Sequence, residues 1–385
     1  MLKMKRLNTV CELDRCNGCM ACIDSCPKTC ITIRDTLFAY NAVIDNEKCI
    51  QCGKCKKVCP NNGQQITGVY PIKWYQGWAA DDIRCSSSSG GAASSIMQAF
   101  IMDGGYVASC CFQNGEFIFI LTNDLCEAKK FSGSKYVKSN PRGIYKKIAE
   151  KLKTDKVLFV GLPCQVAGLL KYCSCNDNLF TVELLCHGTP SPHILEKYLN
   201  DRGYPIGSLK AITFRPKKNG NLSENGIRLS TGSALDPYTL SFLEGISHTD
   251  NCFNCLYARS ERIADLTIGD SWGSELSSEM DKGISLILIQ SAKGTQLVEN
   301  TSIELHDVNL ANAIAHNQPL RQKNYEKKNR KKFLKLLEHN VNFQLAVWMC
   351  APYKSLRQII KIILCRLKLI HNVPSDYGIT VYVKK

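Results

Sequence analysis

The pattern of apolar and polar positions changes character twice along the chain. Over residues 1–70 the apolar runs are short and interrupted by cysteine. No long buried strand or helix is expected there, and a core needs more than side chains to fill it. From about Pro71 strands and helices begin to alternate. GYVASCCF (105–112) and EFIFILT (116–122) carry strand patterns, PRGIYKKIAEKLK (141–153) a helical one, and KVLFVGLP (156–163) the continuous apolar run of a buried strand. CQVAGLLKYC (164–173) reads as a helix and NLFTVELLC (178–186) as another buried strand. SPHILEKYLNDRG (191–203) reads as a helix opened by Ser191-Pro192 and closed by Gly203. This alternation predicts an α/β layer with parallel strands. Later runs, LKAITFRP (209–216), GIRLST (226–231), ADLTIGD (264–270) and ISLILIQ (284–290), predict a mixed sheet or a second sheet. After about Asn309 the pattern turns helical and basic to near the end.

The N-terminal region repeats one cysteine pattern. CNGCMACIDSCP places cysteines at 16, 19, 22 and 26, and CIQCGKCKKVCP at 49, 52, 55 and 59, each quartet followed by proline. The spacing C-x2-C-x2-C-x3-C-P wraps three thiolates around one iron–sulfur cube, while the fourth reaches across to the other. Cys16, Cys19, Cys22 and Cys59 are therefore expected to hold one 4Fe-4S cluster, and Cys49, Cys52, Cys55 and Cys26 a second. Paired zinc sites also use Cys-x-x-Cys, but zinc leaves the third cysteine and the trailing proline of each motif unexplained. Cys11 and Cys30 fall outside both quartets and are read as small buried side chains.

Composition adds to this in two places. A chain of 385 residues, 44% hydrophobic, has room for two or three domains and an ordinary core content. Its 22 cysteines are not ordinary. Lys3, Lys5 and Arg6 near the start are followed by no apolar stretch, so the expectation is a reducing cytoplasm with metal-bound thiolates, not a secreted disulfide scaffold. The formal charge of +15 is concentrated, since thirteen Lys or Arg between Arg321 and His371 face only Glu326 and Glu338. Within that stretch KSLRQIIKIILCRLKLI (354–370) puts Leu356, Ile359, Ile360, Ile363, Leu364, Leu367 and Ile370 at helical spacing, with Arg357, Lys361 and Lys368 opposite. It is too short and too charged to span a bilayer. It fits a peripheral contact with the inner face of a membrane or with a partner, or an edge helix with a solvated basic face. No nucleic-acid motif accompanies the charge, and nucleic-acid binding is not expected.

Four further cysteines stand in suggestive places. Cys164 and Cys186 each end a predicted buried strand, and Cys252 and Cys255 form a Cys-x-x-Cys. The C-terminal ends of parallel strands share one edge, where cofactors bind. Together the four thiols would suit a third 4Fe-4S cluster or a tetrahedral zinc. Two alternatives stay open: Cys164 as a nucleophile at a helix start, or all four as ordinary buried residues. Cys110, Cys111, Cys126, Cys173, Cys175, Cys350 and Cys365 follow no ligand spacing, and Cys85 is unassigned. His187, after Cys186, and Asp270, after a strand, could carry protons. They could equally serve as a hydrogen-bonding neighbour and a turn cap, and no catalytic residue is assigned.

CSSSSGGAASSIMQAFIMDGG (85–105) passes from small polar residues into a helical pattern. Free amides at such a helix start, with the adjoining serines, can receive phosphate oxygens; a turn and helix cap is the plainer use of the same residues. No G-x-G-x-x-G follows a strand, so a Rossmann nicotinamide site is not supported.

Taken with this loop, FSGSKYVKS (131–139), LFVGLPCQVAGL (158–169), LLCHGTPSP (184–192), CFNCLYARSERIADLTIGDSWG (252–273) and KGISLILIQSAKG (282–294) resemble the beta subunits of coenzyme F420 hydrogenases and dehydrogenases. The resemblance runs from about Ile72 to Ala292. It implies a non-Rossmann α/β flavin-binding unit in two family segments at 71–155 and 156–308; with the cysteine repeat, which resembles the bacterial two-cluster ferredoxin fold, at 1–70 and the basic helical tail at 309–385, the expected class is α+β or α/β. It also implies FAD beside a 4Fe-4S cluster, with Ser88, Ser89, Gly90, Gly91, Ser134, Lys135 and Tyr136 near the flavin and the four later cysteines as cluster ligands. The implied activity is electron transfer between a one-electron carrier, such as ferredoxin or another redox protein, and a small-molecule two-electron partner. That partner would be coenzyme F420 or another conjugated substrate, with a possible link to polysaccharide biosynthesis. A pure electron-transfer subunit without its own substrate is the alternative.

Overall fold

The structure, a computed structural model, describes residues 7–174, 176–217, 226–231, 234–370 and 377–384. Lys3, Lys5, Arg6 and Cys175 lie outside the described residues. The strands are β1 (Ile31–Asp35), β2 (Tyr40–Ile44), β3 (Lys73–Trp78), β4 (Tyr106–Gln113), β5 (Glu116–Thr122), β6 (Val157–Gly161), β7 (Leu179–Leu184), β8 (Leu209–Thr213), β9 (Ile227–Arg228), β10 (Leu266–Asp270), β11 (Ser285–Ile289), β12 (Glu304–His306) and β13 (Thr380–Val383).

Eight of them form one mixed sheet in the order β12-β3-β11-β10-β7-β6-β4-β5. Its middle is parallel, β10 with β7, β7 with β6 and β6 with β4. Its flanks are antiparallel. All five residues of β6 are buried, as are the first five of β7, because both faces of the sheet are covered. That double cover is why these strands appear in the sequence as unbroken apolar runs. One face packs Ile96, Phe100, Leu158, Val182 and Ile287 together, the other Ile144, Phe159, Val166 and Leu169. The C-terminal ends of β6, β7 and β10 lie along one edge, and Cys164, Cys186 and Asp270 stand at or just beyond those ends.

The N-terminal region carries the hairpin β1–β2, registered Ile31 to Ile44. Its core is Val10, Cys11, Cys16, Cys22, Cys30, Ile31, Tyr40, Ala42, Ile44 and Cys59, so half of its members are cysteines. The internal repeat is visible in the backbone. Gly18 and Met20 in the first loop, and Gln51 and Gly53 at the matching places in the second, all have positive φ. The region is tied to the rest of the chain at several points. The Asp24 carboxylate accepts from the amides of Gly143 (2.7 Å) and Tyr145 (3.1 Å) at the start of the helix Ile144–Lys151. Lys171 donates to the carbonyls of Cys59 and Asn62.

The C-terminal part is integrated with the main body and is not helical throughout. Phe333, Leu334, Leu337, Phe343, Val347 and Val381 share one core with Ile194, Leu195, Tyr198, Phe214 and Tyr238. The last strand, β13, is the central member of a three-stranded sheet with β8 and β9. The GIRLST run yields only the two-residue β9, and β3 and β12 are not apparent from the sequence pattern. Among the described residues no helix is long and apolar enough to cross a membrane.

Candidate functional site

Three hollows lined by cysteine and one large cavity follow one another through the molecule. Cys16, Cys19, Cys22 and Cys59 surround the first hollow, with Cys11, Ala42 and Asn61 completing its wall. Cys26, Cys49, Cys52 and Cys55 surround the second, with Cys30, Ile31 and Ile44. The fourth cysteine of each motif thus sits with the first three of the other. Each hollow also contains a fifth thiol, and the Cys30 sulfur is 3.4 Å from that of Cys26. Burial pushes the Cys19 thiol up to about 12 and raises Cys22 further, helped by its neighbouring thiols Cys19, Cys16 and Cys55. Thiols gathered like this stay protonated until a metal displaces the protons.

Cys164, Cys186, Cys252 and Cys255 line the third hollow with Asn17, Gly188, Thr189, Asn251, Tyr257 and Arg262. Each arrives for a local reason. Pro163 starts the helix Pro163–Cys173 directly after β6 and puts Cys164 in its first turn. Cys186 follows β7, and the helix Asp250–Phe253 carries Cys252 with Cys255 just past its end. Donors point at the sulfurs: the Gly188 amide at Cys186 (3.4 Å), and the Thr189 amide (3.4 Å) and Asn251 Nδ2 (3.7 Å) at Cys252. Burial raises Cys186 to about 12 and also raises Cys164 and Cys255. Arg262 is fully buried and pairs with the buried Glu183 of β7. It also donates to the Tyr257 and Arg259 carbonyls, which fixes the turn after Cys255. Among the described residues no three His, Cys, Asp or Glu side chains converge on a single ion. The thiols ring a space and do not meet at a point.

The hollows are in contact. Asn17 belongs to the walls of the first and third. A Cβ at Gly168, on the helix Pro163–Cys173, would lie 3.1 Å from the Cys19 sulfur, so the missing side chain lets that helix approach the first hollow. Between the same two hollows lies Lys138, 5% exposed. Its ammonium donates to the Asn17 carbonyl (3.3 Å) and to Asn251 Oδ1 (3.2 Å).

The large cavity, about 620 Å³, shares His187, Gln318 and Asn324 with the third hollow. Ser88, Ser89, Gly91, Ser134 and Tyr136 line it. Gly91 has a positive φ of 86° and caps the helix Ala92–Met102, whose first turn faces the cavity. Ser88 Oγ accepts from the Ser134 amide at 2.8 Å and joins the two loops. Gly90 and Lys135 do not line the cavity. Gly90 is packed so tightly on the sheet that a Cβ would lie 2.4 Å from the Gly77 carbonyl oxygen. Lys135, half-buried, turns its ammonium onto the carbonyls of Phe131 and Ser132, so that its own loop's oxygens satisfy the cation. The sequence points to Lys135 and passes over Lys138, and nothing in FSGSKYVKS distinguishes the two.

Apart from Asp270, the opposite wall carries no signal in the sequence pattern. Arg215 donates to Asp270 at 2.7 Å and lies over the rings of Tyr377 (4.7 Å) and Trp272 (5.4 Å). His248 is buried between Phe242 and Phe253, and neither ring nitrogen has a hydrogen-bond partner among the described residues. Burial, with His187, Arg330 and Lys138 nearby, holds it down at about 3, so it is neutral at neutral pH. Burial likewise lowers His187, partly offset by Asp270.

Residues 154–310 match the family described as the C terminus of the coenzyme F420 hydrogenase/dehydrogenase beta subunit, and residues 15–63 match the 4Fe-4S dicluster domain. The chain thus carries a segment similar to the C terminus of this beta subunit, with a dicluster domain in front. The chain's other likenesses are local or distant. It is 38% identical over 64 residues to the B subunit of the ion-translocating oxidoreductase complex of Methanosarcina acetivorans, covering 17% of this chain and 22% of that one. It is 31% identical over 68 residues to NADH-quinone oxidoreductase subunit I 2 of Geobacter metallireducens, covering 16% and 52%. The chain thus spans between about a fifth and about half of the length of these curated relatives. A chain of the F420-reducing NiFe hydrogenase complex from Methanosarcina barkeri superposes with a TM-score of 0.46 at 16% identity, over 72% of this chain and 91% of that one. That likeness is too distant to bear on function.

Proposed function

We propose that this protein is an iron–sulfur flavoprotein oxidoreductase. It would pass electrons between a one-electron carrier, such as ferredoxin, and a two-electron small molecule, coenzyme F420 or another conjugated substrate. The observation that carries this reading is the shared wall. Four cysteines from three separate segments ring one hollow, and His187 belongs both to that hollow and to the large cavity. The first and second hollows accord with two 4Fe-4S clusters, and the match to the dicluster domain supports them. For a third cluster, Cys164, Cys186, Cys252 and Cys255 supply four thiols and inward-pointing donors, the environment that a thiolate-ligated cluster requires.

The cavity residues suit FAD. The first turn of the helix Ala92–Met102, with Ser88, Ser89 and Gly91, offers amides and hydroxyls to phosphates. Tyr136, Trp272 and Tyr377 offer aromatic faces, and Arg215 with Asp270 a fixed polar pair. A bound flavin would couple one-electron to two-electron chemistry, which iron–sulfur clusters alone cannot do. This chain's own residues then orient the ring, exclude water through the apolar walls and keep His248 neutral beside it.

The names of the curated relatives, each one part of a larger complex, favour a second reading, a pure electron-transfer subunit with no substrate of its own. Anaerobic purification with iron, sulfide and flavin quantified separates the two. About twelve iron and one FAD per chain are expected from three four-iron centres. About eight iron and no flavin would defeat both the third cluster and the enzyme.

A further inference from the structure

The helix Pro352–Arg366 buries none of its residues. It leans on the protein along one edge, where Ser355, Gln358, Ile362 and Cys365 are partly covered. Four of its aliphatic side chains point away from that edge. Leu356, Ile359, Ile360 and Ile363 are 51%, 41%, 46% and 49% exposed. At the pitch of an α-helix these four occupy one stripe about 100° wide. Leu367, Leu369 and Ile370 extend the exposed apolar run past the helix end. Arg366 borders the stripe on one side, and Arg357, Lys361 and Lys354 follow on the other; Lys354 lies 3.4 Å from Glu244. The helix before it, Phe343–Cys350, is anchored by Phe343, Ala346, Val347 and Cys350 in the core. On its outer side it exposes Leu345, Trp348 and Met349, the spacing of one helical face.

An exposed aliphatic stripe between cations suits a lipid surface more than a protein groove. Acyl chains accept the stripe at any register, while Lys and Arg reach back to headgroup phosphates along their own aliphatic stems. From residue 339 to residue 375 there are five Lys or Arg and no Asp or Glu. Such a segment is attracted by an anionic surface and repelled by a second copy of itself. We propose that residues 352–370 are an interfacial docking element. Leu356, Ile359, Ile360 and Ile363 would lie among the acyl chains of an anionic bilayer, and Arg357, Lys361, Arg366 and Lys368 against lipid phosphates. The element holds the protein at a membrane face without crossing it.

The test is flotation of the full chain, purified anaerobically. The vesicles are phosphatidylcholine alone, or phosphatidylcholine with phosphatidylglycerol at about three to one. The expected result is flotation with the anionic vesicles, lost at high salt, and little with the neutral ones. Ile359→Glu with Ile363→Glu should weaken binding about a hundredfold, because two anchoring side chains are lost. Lys361→Gln with Lys368→Gln should weaken it about fivefold per charge removed. Iron content and circular dichroism should match the wild type, since neither Ile side chain belongs to a buried core. The charge pair keeps the test open should the Glu pair misfold. Absence of flotation, or flotation unaffected by either pair, overturns the proposal. So does a dimer in sedimentation equilibrium that the Glu pair splits, because the stripe would then meet another copy.

Discussion

Lys138 is a buried ammonium whose hydrogen bonds go to neutral oxygens of Asn17 and Asn251. Burying a cation this way is costly unless negative charge is close by. The thiols Cys16, Cys164 and Cys186 all feel it, each drawn toward the thiolate by its charge. If the quartets around it carry clusters of net negative charge, Lys138 offsets both and favours the reduced state of each. At an effective dielectric constant of about 20, two unit charges about 7 Å apart interact by about 2.4 kcal/mol. For a one-electron couple that is about 100 mV. The perturbation is Lys138→Met, with Lys138→Arg as the charge-retaining control. The assay is a potentiometric titration of the reconstituted protein followed by electron paramagnetic resonance. The Met variant should lower at least one cluster potential by about 100 mV, and the Arg variant should change it far less. A Met variant that retains its iron with every potential within about 20 mV of wild type would refute the charge-balance reasoning.

Cys252→Ala should remove about four iron per chain and leave the N-terminal centres in place; loss of all iron would instead mean misfolding. Gly168→Val should separate the helix Pro163–Cys173 from Cys19, since even a Cβ there would come within 3.1 Å of the sulfur. The readout is slower electron transfer from the N-terminal clusters to the rest, at unchanged iron content. Arg330 is fully buried, bonds Asp250 at 2.7 Å and Glu326 at 2.9 Å, and donates to the Phe38 and His248 carbonyls. Arg330→Met should therefore cost about 3 kcal/mol in denaturant unfolding. His248 has a folded value near 3, depressed from an ordinary value of about 6.5, so its stabilising effect is complete above pH 6.5 and is lost as pH falls toward 3. About 2 kcal/mol should be gone by pH 5, and His248→Phe should flatten that part of the stability profile.

What the sequence reveals follows from how local the cause is. The parallel strands are legible because β6 and β7 are buried on both faces, which leaves an unbroken apolar run in any chain. The crossing of Cys26 and Cys59 between quartets is legible because loop length alone forces it. The convergence of Cys164 and Cys186 can be proposed from strand ends, because a parallel sheet brings those ends to one edge wherever they stand in the chain, whereas Cys252, on a short helix, offers only its Cys-x-x-Cys spacing. β12 is not legible, since three residues with one partly exposed face carry no period to read. Lys138 and His248 are hidden for a stronger reason. Each owes its character to neighbours far away in sequence: Asn17 and Asn251 for the lysine, His187 and Arg330 for the histidine. A pattern can say which residues point inward, but a buried charge is defined by what it faces. The charges and polar rings around the quartets therefore have to come from the folded chain, and they are where its redox properties are set.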